Sequence, residues 1–351
     1  DLIAGEDVMS VTAPVRATSE ELVTTGTGTE QDKEPYLELI NEFSGPKPER
    51  VPGIATGMSK FDREAGGWQP GDYFLIAGRA GMGKTTVMLW HAMHAIKQDK
   101  KVVIYSMEMP AKQVISILAC LFADIDPEKI HRLTDHHRGL VAKQVEQLYD
   151  SGLRVFDTRT IGSVNVENIC IKTQALVQRD ACDIVFLDYI QLLSTSQRTR
   201  DLREEVTHVS RILMRTAQAT QVPHVCLSQL SRKPDNRGGD KRPFISDLRE
   251  SGSLEQDATG IVLMYRPEYY KILEDADGNS TAGINEWMLE KYRPANRLTR
   301  EYYALKKDQE TGVIAEQNVE DLPFEEVDVQ TDDFLQALEP MTSHDDEVPF
   351  D

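Results

Sequence analysis

Residues 78–85 read Gly-Arg-Ala-Gly-Met-Gly-Lys-Thr, a match to G-x-x-x-x-G-K-[ST], and nothing else in the chain restricts its fold as much. The pattern works in one setting only: a strand delivers the chain into a tight glycine turn, and a helix leaves it. The sequence supplies both, with the apolar run Tyr73–Ala77 before the motif and a helical pattern running on to about Ile96. In that setting the glycines let backbone N–H groups approach phosphate oxygens and the helix N-terminus adds its dipole. The lysine reaches the terminal phosphates, and the threonine hydroxyl ligates Mg²⁺. Gly78, Ala80, Gly81, Met82, Gly83, Lys84, Thr85 and Thr86 are therefore candidate contacts for ATP or another nucleoside triphosphate. Lys84 is also a candidate catalytic cation, and Thr85 a candidate Mg²⁺ ligand.

From Val51 onward, strand-like and helix-like stretches alternate. Strands are expected at Tyr73–Ala77, Val102–Ser106, Ile184–Leu187, His224–Leu227 and Ile261–Met264. Such alternation predicts an α/β fold, a parallel-rich sheet flanked by helices. After Ile284 the pattern turns β-rich, with Trp287–Lys291 and Glu301–Lys307 as strands and a turn at Gln309–Gly312. Sheets of this class present chemistry at the carboxyl ends of their strands. There the chain offers Asp188 for the Mg²⁺ shell, Glu108 as a general base, and Ser228-Gln229 as a polar sensor of the γ-phosphate.

The formal charge of −19 would oppose a nucleic-acid partner if it were evenly spread. It is concentrated at the ends: residues 1–50 hold 11 acids and 4 bases, residues 316–351 hold 13 acids and no base, and residues 51–315 balance to +1. Residues 1–33, rich in Thr, Glu and Gly, read as a disordered linker. Residues 34–50 read as a docking helix, with Leu37, Ile40 and Phe43 on one face, followed by more linker. Residues 316–351 read as a disordered acidic tail. No apolar run approaches the ~20 residues of a membrane span, and no signal-peptide pattern opens the chain, so no membrane partner is expected. The chain opens at Asp1, as a fragment or processed form would. Cys120, Cys170, Cys182 and Cys226 fit neither a zinc site nor a disulfide framework, which points to a reducing cytoplasm, that of a cell or of a virus's host.

The run Asp247-Leu248-Arg249-Glu250-Ser251-Gly252-Ser253-Leu254-Glu255-Gln256-Asp257-Ala258 closely resembles the signature of the DnaB-type replicative helicases, hexameric motors with a RecA-like core. Further matches follow in the family's order at Gly53–Gly57, Ser106–Pro110, Leu187–Leu192, Leu227–Leu230 and Asp240–Pro243, so the resemblance covers about residues 51–315. It implies an ATP-dependent DNA helicase, a homo-oligomeric ring of six that hydrolyses nucleotide at subunit interfaces. Such a ring moves 5′-to-3′ on single-stranded DNA and unwinds duplex at the replication fork. For individual residues, the resemblance assigns Glu108 to the attacking water, Asp188 to Mg²⁺ and Gln229 to coupling between nucleotide and DNA. It assigns Lys291 and Arg293 to the neighbouring subunit's active site. Arg249, Glu250 and Gly252 match one DNA-gripping loop, and Arg198, Arg200 and Arg203 supply cations to a second.

The chain departs from the family in three places. The N-terminal helical collar that receives the primase has no counterpart in residues 1–50. Glu290 stands where the family commonly has Gly, and Pro294-Ala295-Asn296 stands where it has Asn-Gly. The acidic extension ends Asp-Asp-Glu-Val-Pro-Phe-Asp, which resembles the Phe-ended tip of bacterial single-strand-binding proteins apart from the final Asp351. Primase, a helicase loader and other replisome proteins are thus candidate partners for that extension, and a plain solvated tail is the alternative. Two other readings of the motor stay open. One is a filament-forming recombination ATPase, against which the Asp247–Ala258 run argues. The other is a regulatory ring ATPase that binds partners through acidic tails.

Overall fold

Nine strands form one sheet in the order β3-β2-β4-β5-β1-β6-β7-β8-β9 among the residues described by the computed structural model, which are 36–37, 53–162, 164–238, 240–248, 251–275, 278–293, 301–308 and 311–317. The expected linker, all of the docking segment except Tyr36 and Leu37, the acidic segment from residue 318, Arg249 and Glu250 lie outside the described residues. In chain order the strands are β1 Tyr73–Gly78, β2 Val102–Ser106, β3 Arg154–Asp157, β4 Ile184–Asp188, β5 His224–Gln229, β6 Gly260–Tyr265, β7 Ile284–Tyr292, β8 Glu301–Lys307 and β9 Ile314–Gln317. The first six pair in parallel, and β7, β8 and β9 extend the sheet antiparallel from β6.

All the strands expected from apolar runs are present, and β3 and β9 are additional. These two lie at the sheet's outer edges, are four residues long and carry few buried side chains, so neither has the apolar run that marks a central strand. Glu316 and Gln317, grouped with the acidic tail by charge, belong to β9. The Glu316 carboxylate accepts hydrogen bonds from the Ser59 and Lys60 backbone N–H groups at 2.7 and 3.0 Å, at the start of the helix Ser59–Ala65. An acid at a helix N-terminus is favoured by the unpaired amides and the dipole there, so the charge is structural.

Successive side chains of β1 point to opposite faces, as a strand requires. Phe74 and Ile76 enter one core with the helices Lys84–Ile96 and Ala111–Phe122. Tyr73, Leu75 and Ala77 enter the other, with Val166–Val177, Leu202–Thr220 and Ser251–Asp257. His91, fully buried between Trp68, Trp90 and Trp287, is pushed down to a pKa of about 3 by burial, and its Nδ1 lies 2.7 Å from the Thr56 carbonyl. It is a neutral wedge that ties the Gly53–Gly57 segment to the helix behind the nucleotide motif. No helix among the described residues is long and apolar enough to cross a membrane.

Gly260 marks a very close approach in the sheet, since a Cβ there would overlap the Phe74 ring. Gly260→Ala is expected to cost about 1–3 kcal/mol through overpacking. A lower midpoint in urea with an unchanged slope checks this, and an unchanged midpoint would refute it.

Candidate active site at the carboxyl edge of the sheet

β1 lies between β5 and β6, while the chain leaving β1 crosses two strands before rejoining the sheet as β2. That reversal opens a crevice at the carboxyl ends of the strands. A cleft of about 390 Å³ lies there, and the nucleotide motif forms its floor. Gly81 and Gly83 hold φ of +80° and +83°, which side-chain-bearing residues rarely adopt, so the tight turn of the motif depends on glycine. The helix Lys84–Ile96 begins directly after it.

Lys84, Thr85, Glu108, Asp188 and Gln229 all line this cleft, together with Ala80–Gly83 and Thr86. They come from the motif, the turn after β2, and the ends of β4 and β5. Thr85 donates its hydroxyl hydrogen bond to Asp188 Oδ2 at 2.6 Å. A hydroxyl beside a carboxylate is a hard-oxygen pair suited to Mg²⁺, which takes few protein ligands and keeps waters and phosphate oxygens. No cluster of three His, Cys, Asp or Glu able to hold a metal occurs among the described residues.

The charges in the cleft are poorly solvated. Burial raises the Asp188 pKa, and the Glu108 charge raises it further against the Thr85 hydrogen bond and Lys84. Burial lowers the pKa of Lys84, whose Nζ donates to the Arg79 carbonyl at 3.1 Å. A phosphate chain with a divalent cation would supply the missing partner to each.

Further residues reach the site without having stood out in the sequence. Gln191 lies just past β4; its Nε2 donates to Ser228 Oγ at 2.8 Å and its Oε1 accepts from the Gln229 backbone N–H at 3.2 Å, which fixes the end of β5 to the end of β4. Its only signal is its place in the Leu187–Leu192 run. Arg266, Asn285 and Lys307, from the end of β6 and from β7 and β8, line the cleft beyond the motif. Asn285 Nδ2 donates to the Met82 carbonyl at 3.2 Å, and Lys307 pairs with Asp126 and Glu128 at 3.0 and 2.8 Å.

Lys291 and Arg293 do not line the cleft. The Arg293 N–H donates to Thr259 O, and the Thr259 N–H donates to Tyr73 O, so Arg293 is level with the start of β1 while the motif begins at its end. The separation along the sheet is roughly 16–20 Å. These two cations therefore stand away from their own chain's nucleotide motif, Lys291 donating to Glu255 O and Arg293 to Gln256 O.

The two stretches matched to DNA-gripping loops are adjacent where they are described. Arg198, Arg200 and Arg203 are grouped around the start of the helix Leu202–Thr220, and all three are exposed. One turn on, Thr207 Oγ1 lies 2.8 Å from Ser253 Oγ, next to the exposed Gly252, and Ser210 donates to Asp257 at 2.8 Å.

The DnaB-like helicase C-terminal domain family matches residues 53–307. Among curated proteins, the chain is 38% identical over 224 residues to the replicative DNA helicase DnaC of Bacillus subtilis, covering 63% of this chain and 48% of that protein. It is 36% identical over 238 residues to the replicative DNA helicase DnaB of Geobacillus stearothermophilus, covering 67% of this chain and 51% of that protein. The chain thus spans about half the length of these relatives. Among solved structures, it resembles an isolated ATPase domain with a TM-score of 0.72 and 28% identity, over 84% of this chain and all of that one. It also resembles a DnaB-like replicative helicase described with its interactions with primase, with a TM-score of 0.70 and 28% identity, over 85% of this chain and 70% of that one.

Proposed function

The chain belongs to the DnaB-like helicase C-terminal domain family, and on that premise we propose that it is the motor of an ATP-dependent replicative DNA helicase. It works as a ring of six that hydrolyses nucleotide between subunits and moves 5′-to-3′ along single-stranded DNA to open the fork. The observation that carries this reading is the opposition along the sheet. Lys84, Thr85, Glu108, Asp188 and Gln229 converge at one edge, while Lys291 and Arg293 stand at the other.

In this reading the motif amides and Lys84 hold the β- and γ-phosphates, and Thr85 and Asp188 hold Mg²⁺. The metal, when bound, offsets the charge that builds on the transferred phosphoryl group. Glu108 orients the attacking water and accepts its proton. Gln229, held at its backbone by Gln191, senses the γ-phosphate. The neighbouring copies of Lys291 and Arg293 complete the site, and an arginine supplied in trans is worth on the order of 10³–10⁵ in rate in comparable enzymes. Arg249, Glu250 and Gly252, with Arg198, Arg200 and Arg203, hold the DNA backbone without reading bases. Residues 51–315 form the motor domain, with residues 1–33 as linker, 34–50 as docking helix and linker, and 316–351 as the acidic segment whose first two residues join β9. That segment is the proposed contact for a primase, loader or other replisome protein, in the cytoplasm of a cell or of a virus's host.

The test is hydrolysis with and without single-stranded DNA, beside unwinding of a forked duplex with a long 5′ tail. Wild type is expected to be stimulated and to unwind, and Arg249→Ala is expected to lose at least roughly fivefold of the stimulation, at the low end of typical coupling between sites. A wild-type rate indifferent to DNA, together with an intact fork in the presence of a loading partner, would overturn the reading. Filaments instead of rings in the absence of DNA would favour the recombination ATPase.

A further inference from the structure

Between Gln229 and Arg249 the chain makes a loop closed at its base. Leu230 pairs antiparallel with Leu248, the Ser231 N–H donates to Asp247 O at 3.0 Å, and the Leu230 N–H donates to Gly78 O at 3.1 Å. The last residue of β1, the sensor glutamine and the residue before Arg249 are thus joined through backbone pairing. Three charged clasps hold the loop. Arg237 donates from Nη2 to both oxygens of Asp247, whose carboxylate is buried, at 2.8 and 3.0 Å, and Asp247 also accepts from the Phe244 N–H at 2.9 Å. Arg242 forks onto Glu286 of β7 at 2.7 and 2.9 Å. Arg79, inside the nucleotide motif, donates from Nε to both oxygens of Asp235 at 3.1 and 2.9 Å and from Nη1 to Leu230 O at 3.1 Å.

The third clasp is unlike the other two because its arginine belongs to the phosphate-binding turn. Only 8% of the Arg79 side chain is exposed, and Asp235 is further fixed by the Tyr270 hydroxyl at 2.9 Å. A forked pair held this way is no loosely solvated surface contact of the kind that contributes little. The Arg79 carbonyl also accepts from Lys84, the ammonium expected to meet the γ-phosphate. A phosphate that draws Lys84 away changes the hydrogen bonding of Arg79's own peptide, and the side chain of that same residue grips the loop ending at Arg249.

We propose that the Arg79–Asp235 pair is a positioning clasp that couples the state of the nucleotide motif to the DNA-gripping loop. The proposal rests on the reading of Arg249, Glu250 and Gly252 as a DNA contact. Coupling is reciprocal: if DNA changes nucleotide affinity by some factor, nucleotide changes DNA affinity by the same factor. Asp235 does not line the cleft, so its loss should remove coupling and leave the separate affinities close to wild type.

The experiment uses the full chain as its oligomer. The affinity of a non-hydrolysable ATP analogue is measured with and without oligo-dT, and that of oligo-dT with and without the analogue. The proteins are wild type, Asp235→Ala, the volume-preserving Asp235→Asn and the conservative Asp235→Glu. In the Ala and Asn variants both coupling factors are expected to fall together by roughly fivefold or more, with recovery in Asp235→Glu. Wild-type coupling in both Ala and Asn variants would overturn the clasp and leave the helicase reading standing. A nucleotide affinity weakened equally with and without DNA would also overturn it, in favour of plain support of the motif. A wild type that binds both ligands without any coupling would overturn the clasp alone, and a wild type that binds no oligo-dT would overturn the DNA reading with it.

Discussion

Lys84→Ala is expected to lower nucleotide hydrolysis by about 10³-fold, the upper range for removing one preorganised donor from a catalytic site, and to abolish unwinding with it. The side chain starts inside the nucleotide motif and ends in the cleft, its ammonium held on the Arg79 carbonyl. Burial already disfavours its charge, so the interaction regained with phosphate oxygens is large compared with that of a solvated lysine. Neighbouring cations are committed elsewhere: Arg79 to Asp235, and Lys307 to Asp126 and Glu128. Phosphate release at saturating nucleotide is the measurement. Retention of a substantial share of the wild-type rate would remove Lys84 from the proposed chemistry.

Glu108→Gln is expected to separate binding from hydrolysis. General-base groups contribute on the order of 10²–10⁴ in rate, and a loss of that size should occur while analogue affinity stays within a few-fold of wild type. The other carboxylate of the proposed chemistry, Asp188, already accepts from Thr85 at 2.6 Å and is the proposed metal ligand. That leaves Glu108 to take the proton. Equilibrium binding of a fluorescent analogue, set beside single-turnover hydrolysis, makes the comparison. Equal losses of binding and turnover would assign Glu108 to ground-state binding instead.

What could be read from the sequence follows from how local each signal is. The nucleotide motif is contiguous, and its glycines are demanded by backbone geometry, so it was legible without knowledge of the sheet. β2, β4 and β5 were legible as buried apolar runs, and their polar last or following residues were legible by position. β3 and β9 were not, because an edge strand needs no such run. The Arg79 clasp and the Gln191 bridge were invisible for another reason: Arg79 and Asp235 are 156 positions apart, and Gln191 and Ser228 are 37 apart. Nothing in the spacing of charged and amide residues says which of them meet. The family resemblance assigned roles to Lys291 and Arg293, and the sheet puts both near the start of β1, at the opposite end from the nucleotide motif.

The placement of Arg293 at the amino edge also separates ownership from benefit. In the proposed ring each chain holds its own nucleotide and lends its finger to the next. A substitution at Arg293 would then injure a site built almost wholly from another copy's residues, while the chain that carries it keeps an intact site of its own. If the proposed ring holds, the unit that an inhibitor would meet is the seam between copies, and a single polypeptide, however well folded, would own only half of one.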